Sequence, residues 1–123
     1  MIPVDQTIPY EAGSVVGGDC LRAAVASVYE LPIEAVPHFI QFGENWGEAL
    51  RLYVNSRGFE LLKLDGTPTG DEIVLAFGLS PRGVQHSVVW RNDEMLHDPH
   101  PSKSGLVGAP VSFWSITRPL EQR

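Results

Sequence analysis

The only cysteine of the chain, Cys20, lies in a sequence context that favours a reactive thiol. It follows two glycines and Asp19 and precedes an alanine-rich stretch, residues 21–26, so the pattern predicts a loop that ends where a helix begins. Asp19 is a residue type that often accepts the free N–H groups of a first helical turn. A cysteine at the start of a helix has its thiolate stabilised by the helix dipole and by unpaired N–H groups. A buried, unreactive cysteine is the simpler interpretation of this residue considered alone.

A histidine and an aspartate in a predicted hairpin are the groups that would activate this thiol. His86 begins one predicted strand, and Asp98 ends the next one, after a turn at residues 92–94. If residue 90 opposes residue 94, the two side chains are direct partners, and if residue 91 opposes residue 95 they are diagonal neighbours on one face. A two-residue loop instead places them on opposite faces of the sheet. The sequence leaves these three registers open.

A cysteine, a histidine and a carboxylate that orients the histidine form a nucleophilic relay. The thiolate of Cys20 would attack a carbonyl-type carbon, and the His86 imidazolium would stabilise the thiolate and later protonate the leaving group. The tetrahedral oxyanion that forms also needs hydrogen-bond donors. The backbone N–H of Cys20 is one candidate donor, and the side-chain amide of Gln6, the only Gln or Asn before Cys20, is another.

The order of these residues resembles that of the papain-like cysteine peptidases, and most closely that of the small bacterial and phage proteins in their C39-peptidase-like branch. The matching segments are residues 18–24, 31–37 and 97–102, within a resemblance that spans roughly residues 6–106. The resemblance implies a papain-like fold, catalysis by Cys20, His86 and Asp98, a protein or peptide substrate and no cofactor. It also implies that Gln6 lines the oxyanion hole, although Gln6 lies fourteen residues before Cys20, a longer separation than is usual in the family.

The implied reaction is acyl transfer through a thioester, with hydrolysis of a peptide or isopeptide bond as the leading interpretation. Deamidation or transglutamination uses the same relay on a side-chain amide, and a catalytically inactive peptide-binding module would keep the fold without an activated thiol. A metal site formed by His86, His97, Asp98 and His100 is a further alternative, because zinc accepts imidazole and carboxylate ligands. Adjacent strand residues such as His97 and Asp98 point to opposite faces, however, which argues against a shared metal.

The composition of the 123 residues argues against several other function classes. The formal net charge is −6, and the sequence has no basic cluster of the kind that binds nucleic acid or an anionic membrane. A single cysteine cannot form an intrachain disulfide. No signal peptide is recognisable, and no apolar stretch approaches the ~20 residues of a membrane span. We therefore expect one domain, residues 1–123, in the cytoplasm of a bacterium or of an infected host cell.

The elements that must position the reactive groups follow from the hydrophobic pattern. A first helix is predicted from Cys20 to about residue 30, and a second, capped by Asn45 and followed by Gly58, is indicated by a stripe of apolar residues at helical spacing. The stripe consists of Trp46, Ala49, Leu50, Tyr53 and Val54. Strands are predicted at residues 59–64, 73–78, 84–91, 95–97 and 111–116. Helices first and strands later indicate an α+β fold in which N-terminal helices pack on a C-terminal antiparallel sheet.

Overall fold

The helices and strands of the protein, seen in a computed structural model that describes residues 1–8 and 18–117, occur in the predicted order. Helix α1 spans Cys20–Tyr29 and α2 spans Trp46–Ser56. Two 3₁₀ helices, Ile33–Ala35 and Phe39–Asn45, lie between them. The strands are β1 Glu60–Lys63, β2 Ile73–Leu79, β3 Gln85–Arg91, β4 Glu94–His97 and β5 Ser112–Thr117. Each strand lies within one residue of its predicted bounds. That residues 1–123 form a single domain stays a prediction.

The five strands form one antiparallel sheet in the order β1-β5-β2-β3-β4, which confirms the α+β class. Strand β5 lies between β1 and β2, so the last of the described strands joins the first of them to the rest of the sheet. Both faces are covered. The helical face carries Leu75 and Val89, and the other carries Ala76 and Val88 beneath a loop that contains Leu106. This two-sided burial explains the continuous apolar run of β2.

Helix α1 packs closely because its buried face is made of small residues. Ala23, Ala24 and Ala26 are fully buried, and the helix lies against β3 and β2. Ser27, also buried, connects the helix to the N-terminal segment: its hydroxyl accepts from the Val4 N–H at 2.9 Å and donates to the Ala23 carbonyl at 2.8 Å. The position of Cys20 at the start of α1 is therefore determined by a helix embedded in the core.

The two predicted helix caps are wrong. The Asp19 side chain makes no hydrogen bond to the first turn of α1, because its carboxylate is engaged by residues 7 and 8. Asn45 makes no side-chain cap for α2, because its backbone already belongs to the preceding 3₁₀ helix instead of adopting the extended conformation of a capping residue. Gly58 fulfils its predicted role after α2, with a left-handed φ of 84°.

Among residues 1–8 and 18–117, no helix has the length and apolarity to cross a membrane.

Candidate active site

The β3–β4 hairpin has a two-residue loop, Asn92-Asp93, in which Asn92 has a φ of 56°. The register after this loop begins with Arg91 opposite Glu94. Continued without interruption, that register would place His86 and Asp98 on opposite faces of the sheet, as expected for a two-residue loop.

A β-bulge changes this outcome. Trp90 pairs with Met95, but the next pair is Val89 with His97, so Leu96 is an extra residue on β4. The shift of one position moves Asp98 to the face that carries His86. The expectation that a two-residue loop separates the two side chains is therefore wrong, and the bulge is the physical reason.

His86 and Asp98 form a buried hydrogen-bonded pair. The Nε2 atom of His86 lies 2.6 Å from Oδ1 of Asp98, and Asp98 is only 1 % exposed. The same Oδ1 accepts from the His100 backbone N–H at 2.9 Å, and Oδ2 accepts from the Gly105 N–H at 2.7 Å. Burial acts to raise the pKa of Asp98, but the bonds from His86, His100 and Gly105 outweigh it and hold the pKa well below its ordinary value. The carboxylate is therefore ionised and fixed in orientation.

The imidazole of His86 connects this carboxylate to Cys20. Burial lowers the pKa of His86, but hydrogen bonds to Asp98 and to Cys20, together with the charges of both residues, raise it to about 9. Because Nε2 is occupied by Asp98, Nδ1 is the nitrogen left for the Cys20 side chain. The ring is thus protonated at neutral pH and lies between two groups that carry or can acquire negative charge.

Cys20 and His86 lie on an open cleft of about 780 Å³, and Gln6 lines the same cleft. Cys20 is half-buried as the first residue of α1. The Gln6 side-chain amide donates to the Ile8 carbonyl at 3.1 Å. Its Oε1 is buried and has no hydrogen-bond partner among the described residues. The structure therefore brings Gln6 to the cleft despite its separation from Cys20 in the sequence, and Asp98 adjoins the cleft through His86.

The residues of the alternative metal site do not converge. The ring of His97 is turned towards the N-terminal segment, where its Nε2 lies 2.8 Å from the Val4 carbonyl oxygen. His100 lines the cleft, but its Nδ1 lies 2.8 Å from the Ser102 hydroxyl. In the part of the chain that the structure describes, no three His, Cys, Asp or Glu side chains are grouped as metal ligands would be.

Gly105 is a site residue that sequence reasoning missed. Its N–H holds Asp98, its φ is 72°, and a Cβ added there would lie 3.2 Å from the Met95 sulfur. A side chain at this position would be strained by the left-handed backbone and crowded by Met95. A glycine in a loop rich in Pro, Ser and Gly gives no signal of such a role, because loops contain glycine for many reasons.

The contribution of His86 to the free energy of unfolding is expected to fall as the pH rises from about 6.5 to about 9. Unfolded histidine releases its proton near pH 6.5, whereas folded His86 has a pKa raised to about 9. Its contribution to stability is complete below about pH 6.5 and is lost as the pH rises through 9, with a slope of at most about 1.4 kcal/mol per pH unit. Urea unfolding of Cys20→Ala from pH 6 to 9.5 measures this slope, because no thiol then titrates beside the ring while Asp98 still raises the pKa of His86.

The control for this experiment adds His86→Gln to Cys20→Ala and so removes the titrating ring. The variant should lose the decline assigned to His86, and equal pH dependence of the two proteins would contradict the prediction. At acid pH the dependence has the opposite sign. Asp98 has a lowered pKa, so its contribution to the free energy of unfolding is present above about pH 3.8 and is lost as the pH falls further.

Comparisons of this chain with family models, with curated proteins and with solved structures each found no match.

Proposed function

We propose that the protein is a papain-like cysteine hydrolase, of the C39-peptidase-like kind, that cleaves a peptide or isopeptide bond through Cys20. The observation that carries the proposal is the buried His86–Asp98 pair, with 2.6 Å between Nε2 and Oδ1, whose imidazole lines the same cleft as the Cys20 thiol. A buried histidine paired with an ionised carboxylate on one side and a thiol on the other is the arrangement that thiol-based acyl transfer requires. The open cleft at Cys20 supports the proposal, because a substrate needs access to the sulfur.

In the proposed first step, the Cys20 sulfur attacks the carbonyl carbon of the scissile bond, and a carbon–sulfur bond forms. The electron pair of the carbonyl moves to its oxygen. The backbone N–H of Cys20 and the amide of Gln6 are the groups proposed to bind this oxyanion. Asp98 keeps its negative charge throughout and holds the His86 ring in orientation.

In the second step the intermediate collapses, the carbon–nitrogen bond breaks, and the proton on the His86 ring passes to the leaving amine. A thioester remains on Cys20. Water then attacks the thioester while His86 accepts a proton from that water. The carbon–sulfur bond breaks, the carboxylic acid leaves, and the thiolate and imidazolium are restored.

The walls of the cleft support a protein or peptide substrate with apolar side chains near the scissile bond. Five large apolar side chains line it: Leu21, Ile40, Trp46, Phe77 and Val84. Burial of such surfaces against apolar side chains is favourable. We also propose the cytoplasm as the compartment, because a reducing environment keeps a nucleophilic cysteine in its thiol form.

The proposal is tested by the pH dependence of Cys20 alkylation with iodoacetamide. Only the thiolate reacts, and an ordinary cysteine ionises near pH 8.5. In the wild type we expect alkylation at pH 6 within about tenfold of the rate at pH 9, because the protonated His86 stabilises the thiolate. In His86→Ala the rate at pH 6 should fall by about 100-fold relative to the wild type.

The matched control is His38→Ala, which removes another buried histidine, one that lines a different cavity. It should leave alkylation at pH 6 unchanged. A wild-type thiol that reacts only above pH 8, or only after unfolding, would overturn the proposal and favour an inactive peptide-binding module. Release of ammonia in place of a cleaved chain, detected by mass spectrometry of substrates, would redirect it to deamidation.

A further inference from the structure

We infer that Asp19 is a positioning residue that anchors residues 6–8 beside the nucleophile and thereby holds the Gln6 amide at the oxyanion position. The inference rests on the proposed function and names a residue that acts on the reaction through Gln6. It is drawn from the hydrogen bonds that replace the expected helix cap.

The Asp19 carboxylate is completely buried, at 0 % exposure, and it binds the N-terminal segment. Oδ1 accepts from the backbone N–H groups of Thr7 at 2.9 Å and Ile8 at 2.8 Å, and Oδ2 accepts from the Thr7 hydroxyl at 2.7 Å. The Asp19 backbone N–H donates to the Ile8 carbonyl at 3.0 Å. A buried carboxylate needs hydrogen-bond partners of this kind. These bonds fix residues 7 and 8 to the residue that directly precedes Cys20.

Gln6 is held by the same anchor and by a second one. Its side-chain amide donates to the carbonyl of Ile8, the same carbonyl that Asp19 binds. Its backbone N–H donates to the Pro99 carbonyl at 3.0 Å, directly after Asp98. The segment therefore extends from the start of α1 to the loop that follows Asp98.

The position of the Gln6 amide relative to the Cys20 sulfur thus depends on Asp19. The hydrogen bond between His86 and Asp98, in contrast, does not depend on Asp19. Loss of the Asp19 carboxylate is expected to displace the amide while the contact between Cys20 and His86 remains. A displacement of about 1 Å in a catalytic group costs about 100-fold in rate.

Two chemical probes separate these effects. Acylation of Cys20 by p-nitrophenyl acetate passes through an oxyanion, whereas alkylation by iodoacetamide displaces iodide at a saturated carbon and forms none. For Asp19→Ala we expect acylation about 10–100-fold slower than in the wild type, with alkylation at pH 6 changed less than twofold. Asp19→Asn should retain most of the acylation rate, because its carbonyl oxygen can accept from both backbone N–H groups and its NH₂ can donate to the Thr7 hydroxyl.

A double-mutant cycle with Gln6→Ala tests whether Asp19 acts through Gln6. In the Gln6→Ala background, Asp19→Ala should slow acylation by less than about threefold. The inference is overturned if Asp19→Ala slows alkylation and acylation equally, or if its effect on acylation is as large without Gln6 as with it.

Thr7→Val removes only the hydrogen bond from the hydroxyl to Oδ2, so the anchor remains testable if Asp19→Ala does not fold. We expect acylation in Thr7→Val to slow severalfold with alkylation unchanged, and an unchanged acylation rate would count against the anchor. Failure of the proposed function has a different signature. In that case the wild type itself lacks rapid alkylation at pH 6, whatever residue occupies position 19.

Discussion

Replacing Cys20 with serine is expected to reduce the turnover of p-nitrophenyl acetate by at least about 10³-fold at pH 7. A serine hydroxyl must lose its proton to a base during attack. His86 has its pKa raised to about 9, and Asp98 continues to favour the protonated ring in the variant. At neutral pH this ring is a poor proton acceptor, so serine is not a conservative replacement at this position. Release of p-nitrophenol measures the effect.

Cys20→Ala is the companion variant and should be as inactive as Cys20→Ser. Both should unfold in urea at a midpoint close to that of the wild type, since residue 20 is only half-buried. EDTA should leave wild-type turnover unchanged. Turnover that survives Cys20→Ser but is lost with EDTA would contradict a thiol nucleophile and would point to a metal-dependent hydrolase.

Replacing Asp98 with asparagine is expected to slow turnover by about 10²–10⁴-fold and to lower the free energy of unfolding by about 1–3 kcal/mol. The two oxygens of Asp98 accept from His86, His100 and Gly105, and all three partners present N–H groups. An asparagine NH₂ must face at least one of these donors. The variant therefore leaves a buried N–H without an acceptor, and it removes the negative charge that favours the protonated His86 ring.

The matched control for this substitution is Asp93→Asn, the same change in the exposed loop of the same hairpin. It should affect stability by less than about 0.5 kcal/mol and leave turnover unchanged. Kinetics with p-nitrophenyl acetate and urea unfolding of both variants provide the comparison. Turnover within about threefold of wild type in Asp98→Asn would show that the carboxylate does not orient His86.

The helices and strands were predictable because each has a strong local pattern. Helix α2 has its apolar stripe, and β2 is a continuous apolar run whose two faces are both covered. The 3₁₀ segment Phe39–Asn45 was not predicted, because it is two short turns separated by a kink at Gly43, and such short turns carry no sustained periodicity. The position of β5 between β1 and β2 also has no local signal, because strand order is decided by long-range packing.

The site residues were predictable by type and order, but their geometry was not. Whether Asp98 shares a face with His86 depends on the bulge at Leu96, and nothing in an ordinary leucine marks it as an extra residue. The role of Asp19 was misassigned for a similar reason. A helix start and a buried anchor for a distant segment both call for a carboxylate before the helix, and only tertiary structure distinguishes them.

The hydrogen bond between the N-terminal segment and the end of β4 has a consequence for the order of events during synthesis. The His97–Val4 contact joins residues 93 positions apart, and contacts of such large sequence separation form late because they close long loops. While α1 emerges from the ribosome, His86 and Asp98 have not yet been made, so Cys20 has no imidazole partner. The proposed nucleophile is therefore assembled only after Asp98 and the loop that holds it have been synthesised, and shorter nascent chains carry Cys20 without its imidazole partner.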